Sequence, residues 1–135
     1  MAMLMIGELA RRTGVKVNTI RFYEDIALMP KAARTDSGRR TYRETDVKRL
    51  NFIRNGRNLG FSTEELKSLI SLSEHPDRDC GAAAAIARRH LAEIEARMAR
   101  LALLRTELEE VAANCDGGRM ADCQVIGAIA DAPTH

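Results

Sequence analysis

Residues 6–24 read IGELARRTGVKVNTIRFYE. The apolar residues Ile6, Leu9 and Ala10 recur at steps of three and four, which predicts a short amphipathic helix. The Thr-Gly-Val sequence at 13–15 predicts a turn, and a second short helix is expected over about 17–24. Two short helices joined by such a turn are typical of a DNA-reading unit, although they are also compatible with two helices that only contribute to a core.

In a DNA-reading unit the second helix enters the major groove, with its early residues facing the base edges. Lys16, Asn18, Thr19 and Arg21 occupy that part of the predicted helix and carry hydrogen-bonding side chains. They are therefore candidate DNA-binding residues.

A basic hairpin is predicted directly after these helices. Pro30 interrupts the chain, and Asp-Ser-Gly at 36–38 predicts a tight turn between two short strands within 32–42. The cationic residues of this segment are Lys31, Arg34, Arg39, Arg40 and Arg43. We interpret the hairpin as the wing of a winged helix-turn-helix, whose arginines neutralise DNA phosphates and make binding strongly dependent on salt.

The next helix is marked by apolar Val47, Leu50 and Ile53, with Arg54 and Arg57 on a different side. It is expected to end near Gly60, because glycine readily adopts the left-handed conformation that closes helices. Ser62 and Glu65 then form a capping-box pattern, which predicts the start of a further helix.

Net charge divides the chain into two different halves. Residues 1–60 contain 13 Lys and Arg against 6 Asp and Glu, whereas residues 61–135 contain 8 against 13. This asymmetry indicates an N-terminal part that meets a polyanion and a C-terminal part with another task.

A helix of roughly 30 residues is predicted over 82–113, a stretch that contains neither proline nor glycine. Its apolar residues recur at the steps of a coiled coil. They are Leu91, Ile94, Met98, Leu101, Leu104, Leu108 and Val111. Few residues remain elsewhere to cover so long a stripe, so we expect a second copy of the chain to cover it and form a homodimer.

Three cysteines raise the question of metal binding. Cys115 and Cys123 flank a short polar loop that contains Gly117 and Gly118, whereas Cys80 precedes the long helix. That helix separates Cys80 from Cys115 by about 50 Å within one chain. If two such helices pair antiparallel, Cys80 of one chain meets Cys115 and Cys123 of the other, and each dimer has two sites. Clustered thiolates select soft ions; the alternative is that the cysteines are idle.

Several function classes find no support in the sequence. No apolar run of 18 residues and no secretion signal is present, so we expect a cytoplasmic protein that does not bind a membrane. No phosphate loop, HExxH motif or nucleophile with a nearby base indicates an enzyme. A cysteine-based redox regulator remains an alternative, as does a metal buffer, although the latter leaves the basic half without a purpose.

The motifs of the chain occur in one order: IGELA at 6–10, TGV at 13–15, TIRFYE at 19–24, SGxRxY at 37–42 and LGFS at 59–62. With Asp46, Arg49-Leu50 and Phe52-Ile53, they resemble the MerR family of transcriptional regulators, specifically its metal-sensing branch. The resemblance covers essentially the whole chain.

This resemblance implies a mainly α protein with three parts. They are a winged helix-turn-helix with connecting helices at 1–74, an antiparallel coiled-coil dimerisation helix at 75–113, and a metal-binding loop and tail at 114–135. Metal binding is implied to distort promoter DNA, so that RNA polymerase is recruited indirectly and transcription is activated. The DNA contacts implied by position are Lys16, Arg21 and Tyr23, then Arg34, Arg40 and Tyr42 in the wing, and Arg54 with Arg57.

Two residues depart from the family pattern: Arg39 stands where an aromatic residue is common, and Ala27 replaces a usual glycine. The metal ligands implied are Cys80, Cys115 and Cys123. A cysteine at position 80 is similar to the family's divalent-metal sensors, since its copper and silver sensors carry serine there. The seven-residue loop, however, matches the copper branch. We rank mercury, lead and cadmium first, then zinc, which needs a fourth ligand, then monovalent copper.

Overall fold

The computed structural model describes residues 3–115 and 117–133. Its element order confirms the mainly helical prediction. The helices are α1 (Ile6–Thr13), α2 (Val17–Asp25), α3 (Glu44–Asn58), α4 (Thr63–Ser73), α5 (Gly81–Ala113) and α6 (Gln124–Ala130). Two short strands, β1 (Ala33–Arg34) and β2 (Arg40–Thr41), form the wing, and a 3₁₀ turn spans Met120–Asp122.

Local sequence signals account for the boundaries of these elements. Gly14 ends α1 in the left-handed conformation, with φ 74°. The predicted capping box of α4 is present, since Glu65 N–H donates to Ser62 Oγ at 3.1 Å and Ser62 N–H donates to Glu65 Oε1 at 2.9 Å. These contacts satisfy N–H groups that have no partner within the helix.

The wing is an antiparallel hairpin in which Ala33 pairs with Thr41 and Arg34 pairs with Arg40. Its turn is closed by Gly38 N–H, which donates to Thr35 O at 2.9 Å, and Gly38 has φ 86°. Leu4 adds an isolated antiparallel bridge to Tyr42. The predicted turn at 36–38 is thereby confirmed.

The turn before the wing places Ala27 at φ 62°, in the left-handed region. A side chain is disfavoured there because Cβ approaches the following carbonyl oxygen. The conformation lets both Leu28 and Met29 donate their N–H groups to Tyr23 O, and both side chains are buried. Ala27 therefore adopts a backbone conformation that favours glycine, the residue that the resemblance leads us to expect at this position.

The chain divides into two compact units between Ile86 and Ala87. The first unit contains the hydrophobic core, in which Leu9, Ile20, Leu50, Ile53 and Leu66 are fully buried. The domain limits 1–74, 75–113 and 114–135 stay a prediction.

In the second unit the apolar stripe of α5 is largely exposed. Leu91 is 54%, Met98 64%, Leu101 61% and Leu108 62% exposed. Exposed apolar residues in an unbroken row along a helix mark an interaction surface. The long α5 fits a coiled coil, as the sequence predicted.

Gly56 is the point of close approach between α3 and α4. A Cβ at this position would lie 2.3 Å from Leu66 Cδ2, which belongs to a fully buried side chain. We expect Gly56→Ala to lower the free energy of unfolding by about 1–3 kcal/mol, because the core must shift to accept the methyl group. Urea denaturation measures this change.

Gly7→Ala is the matched control, because Gly7 is an exposed helical glycine with open space around its missing Cβ. Alanine there is expected to stabilise the protein by up to about 1 kcal/mol through helix propensity. Equal effects of the two substitutions contradict the packing argument.

Candidate nucleic-acid interface and thiol site

Helix α2, the predicted DNA-recognition helix and called the recognition helix below, presents most of its candidate DNA-binding residues to solvent. Lys16 precedes the helix as its N-cap residue, and Lys16, Asn18 and Arg21 are exposed, whereas Thr19 is half-buried. Phe22, which the sequence analysis did not select, is 53% exposed on the same helix. An exposed aromatic residue is available for apolar contact with DNA.

Folding brings the wing arginines next to the recognition helix. Arg21, Arg34, Arg39 and Arg40 line one open cavity, together with Met5 and Ile6 at the start of α1. These four cations are spread over 20 positions of sequence, and their convergence creates a local field that attracts phosphate. This cavity places four arginines on the predicted DNA-binding surface.

Tyr23 and Tyr42 differ from the other selected residues because they are buried. Tyr42 is 1% exposed, and its hydroxyl donates a hydrogen bond to Glu24 Oε1 at 2.9 Å. Burial, reinforced by that hydrogen bond and by the Glu24 charge, raises the pKa of Tyr42 to about 12. In this structure both tyrosines support the surface from within, and their direct DNA contacts stay a prediction.

Arg54 and Arg57 lie on α3, and each donates a hydrogen bond to a backbone carbonyl oxygen nearby. Arg54 Nη1 donates to Thr13 O at the end of α1, and Arg57 Nη1 donates to Phe61 O at 2.7 Å. Each guanidinium carries five N–H donors, so both retain donors for a phosphate. Arg57 is exposed and Arg54 is half-buried.

Glu24 is a buried acid in the recognition helix to which the sequence motifs assigned no role. It is 6% exposed and accepts hydrogen bonds from Tyr42 and from the Ala32 N–H. The available signal was its position four residues after Ile20, which places both side chains on the buried face of α2.

Cys115 and Cys123 are brought together by the glycine-containing loop. Gly117 and Gly118 have φ values of 92° and 104°, so the loop folds back as their lack of a side chain permits. The two thiols lie within hydrogen-bonding reach of each other, and both residues are half-buried. This adjacency gives a pair of soft ligands within one chain.

The Cys123 thiol lies at the N-terminus of α6. The backbone N–H of Ile126 is the main cause that lowers the pKa of this thiol, and the Val125 N–H and Cys115 add to the effect, while burial opposes it. These N–H groups approach the sulfur without forming a regular capping hydrogen bond. The arrangement favours thiolate, which is the form that binds metals.

Cys80 is exposed and directly precedes α5. It lines an apolar groove of the first unit with Phe52, Leu69, Leu72 and Ala83 among others. Among residues 3–115 and 117–133, no three His, Cys, Asp or Glu side chains of one chain form a group that could hold a metal ion.

No helix among the described residues combines the length and the apolar character that a membrane span requires.

Comparison with known proteins identifies the family. Residues 4–72 match the model for MerR HTH family regulatory proteins, and residues 47–111 match the model described as MerR, DNA binding. Heavy metal-dependent transcription regulator 2 of Rhizobium meliloti (strain 1021) is 39% identical over 126 residues, which cover 93% of this chain and 86% of that protein. The HTH-type transcriptional regulator ZntR of Escherichia coli (strain K12) is 40% identical over 116 residues, covering 85% of this chain and 82% of ZntR.

The fold agrees with these matches. The crystal structure of the transcription regulator PbrR691 from Ralstonia metallidurans CH34 in complex with lead(II) superposes with a TM-score of 0.83 at 32% identity, covering 94% of this chain and 99% of that one. The sequence motifs, the winged helix-turn-helix and the long helix all point to the same family. The chain belongs to the MerR family of DNA-binding transcription regulators, which are not enzymes.

Proposed function

We propose that this protein is a cytoplasmic transcription activator that responds to a soft divalent metal ion. Cys80 of one subunit and Cys115 with Cys123 of its partner hold the ion, so that a homodimer has two sites. The observation that carries the proposal is the adjacency of the Cys115 and Cys123 thiols, with Cys123 at the N-terminus of a helix. A site with three thiolates would take its third ligand from the partner subunit.

The exposed stripe of α5 supports the dimer. In an antiparallel pair that brings Cys80 beside the loop at 115–123, Leu91 faces the partner's Leu108 and Met98 faces the partner's Leu101. Apolar residues then meet apolar residues along the helix, as a self-complementary twofold interface requires. The 33-residue helix is long enough for several such layers.

The charges near the two ends of α5 support the antiparallel direction. Arg88 and Arg89 lie near its start, whereas Glu107, Glu109 and Glu110 lie near its end. Antiparallel pairing places opposite charges side by side, whereas parallel pairing juxtaposes like charges and so costs free energy.

The ligand set favours mercury and lead, which accept three thiolates, and we rank cadmium together with them. Zinc ranks next because it normally has four ligands and would have to recruit one, and monovalent copper ranks last. The relatives support this class of ion: one is named a heavy metal-dependent regulator, and PbrR691 was crystallised with lead(II).

We assign promoter binding to residues 1–74, dimerisation to 75–113 and metal binding to 114–135 together with Cys80. Lys16, Asn18, Thr19 and Arg21 face the groove, whereas the wing arginines, Arg54 and Arg57 meet phosphates. A metal-induced change at the thiols alters the geometry of the dimer and thereby distorts the promoter. This distortion costs about 1–6 kcal/mol of DNA deformation energy, and it presents the promoter to RNA polymerase.

A titration of the reduced full-length protein with Hg²⁺, Pb²⁺, Cd²⁺, Zn²⁺ and Cu⁺ tests this proposal. We expect thiolate-to-metal absorption that saturates at about two ions per dimer for the cognate ion, since each dimer has two equivalent sites. Mg²⁺ serves as the control, because thiolates bind it poorly.

Saturation of the promoter-bound protein with the cognate ion should also change the chemical reactivity of the promoter bases at the centre of the bound site. Absence of absorption with every soft ion contradicts the proposal. If an oxidant alone then changes promoter binding, the redox alternative takes its place.

A further inference from the structure

The buried carboxylate of Glu24 lies where the recognition helix meets the base of the wing. Its side chain is 6% exposed, although it carries a charge in a part of the protein that binds DNA. A buried charge is tolerated only when it is paired and hydrogen-bonded. The partners of Glu24 therefore indicate what the charge does.

Glu24 contacts both sides of the wing. Tyr42 Oη donates to Glu24 Oε1 at 2.9 Å, and Arg40 Nη1 lies 3.6 Å from the same oxygen. The Ala32 N–H donates to Glu24 Oε2 at 3.0 Å. Ala32 directly precedes β1, whereas Arg40 lies in β2 and Tyr42 follows it, so one carboxylate joins α2 to both sides of the hairpin.

We propose that Glu24 is a positioning residue for DNA binding: it sets the orientation of the wing relative to the recognition helix. This orientation keeps the wing arginines beside Arg21, where they line one cavity. The inference rests on the DNA surface assigned above, and it adds a residue that supports the surface without contacting DNA.

A carboxylate suits this position because it only accepts hydrogen bonds. All three groups around Glu24 are donors. The Arg40 guanidinium and the Ala32 N–H can only donate, and they face different oxygens of Glu24. A glutamine in either orientation would therefore place its NH₂ group against one of them, so even this nearly isosteric change breaks part of the contact.

The wing has a second attachment, which allows its orientation to change without loss of the fold. Leu4 N–H donates to Tyr42 O at 2.9 Å, and Tyr42 N–H donates to Leu4 O at 2.8 Å. The Glu24→Gln variant should therefore remain folded while its wing loses a fixed angle.

The sign of the effect separates this role from general electrostatics. Removal of an acidic charge from a DNA-binding domain ordinarily strengthens DNA binding, because repulsion from the phosphates decreases. Glu24→Gln is instead expected to weaken binding about tenfold at moderate salt. It should also flatten the dependence of log K on log salt by one to three, since up to three wing arginines lose their phosphates.

Asp25→Asn is the matched control, because it removes the same charge from the next residue of α2, whose side chain is exposed. We expect affinity equal to or tighter than that of the wild type. The probe is a DNA duplex selected from a random pool by the full-length protein, and the measurements are fluorescence anisotropy at several salt concentrations and hydroxyl-radical footprinting. Protection by the wing should fade in Glu24→Gln while protection by the recognition helix persists.

Arg40→Ala calibrates the experiment, because loss of one phosphate contact flattens the salt slope by about one. An unchanged slope in Arg40→Ala contradicts the wing surface of the proposed function. Glu24→Gln overturns the role of Glu24 if it behaves like Asp25→Asn, or if it weakens the whole footprint evenly at an unchanged slope.

Circular dichroism establishes whether Glu24→Gln is folded. If it is not, Tyr42→Phe replaces it, since this change removes one donor from the carboxylate and leaves the ring in the core. About threefold weaker binding with a flatter slope supports the inference, and unchanged binding overturns it.

Discussion

Replacement of Cys115 with serine is expected to abolish the transcriptional response to metal while promoter affinity stays within about twofold of the wild type. Serine has nearly the same shape as cysteine, but its hydroxyl is a poor ligand for soft ions, so we expect metal affinity to fall by more than about 100-fold. The proposed DNA-binding residues belong to the first compact unit and Cys115 to the second, so we expect the two proposed functions to respond separately to substitution. Transcription in vitro with and without the cognate ion, together with fluorescence anisotropy on promoter DNA, measures both quantities.

Asn114→Ser is the matched control. It introduces the same residue at the neighbouring exposed position, and it should retain the full metal response. A Cys115→Ser protein that no longer binds the promoter contradicts the division of labour between the two units. A retained response removes Cys115 from the set of ligands.

Elements that depend on local chemistry were predictable from the sequence. The Ser62–Glu65 capping box and the turn at Gly38 follow from backbone N–H groups that neighbouring residues satisfy. The long helix α5 was predicted over 82–113 and observed as Gly81–Ala113, because the absence of proline and glycine leaves helix propensity unopposed. The exposed stripe also matches its 3.5-residue periodicity.

Features that depend on contacts across the chain were harder to predict. Tyr42 carries a hydroxyl that could contact DNA, so the sequence alone is compatible with that role. In the structure Tyr42 is instead buried against Glu24, which lies 18 positions earlier in the chain. Glu24 itself is an acid in a basic half, and only its partners from the wing explain its burial.

The short helix α6 was also missed, since 114–135 was expected to be a loop and a tail. It spans seven residues and contains Gly127, so its intrinsic helix propensity is low. Because α6 was not predicted, no difference between Cys115 and Cys123 was expected. In the structure, the N–H groups at the start of α6 lower the pKa of Cys123.

Two variants that are each inactive in metal binding are expected to restore one site when they are combined in one dimer. The first is Cys80→Ser and the second is Cys115→Ser with Cys123→Ser. In a mixed antiparallel dimer, Cys80 of the second chain meets Cys115 and Cys123 of the first, whereas the opposite end of the dimer has none of the three thiols. Mixed dimers purified through two different tags should therefore hold about one ion each, half of the wild-type capacity, because the twofold axis generates two independent sites.

Each variant alone forms a dimer in which neither end has all three thiols, so both parental dimers should bind almost no metal. The comparison of mixed and parental dimers shows whether Cys80 comes from the same chain as Cys115 and Cys123 or from the partner chain. If all three ligands belonged to one chain, or if the helices paired in parallel, every mixed dimer would lack a complete site and remain at the parental level. Recovery of thiolate-to-metal absorption in the mixed dimer, with promoter binding unchanged, therefore requires a site shared across an antiparallel interface.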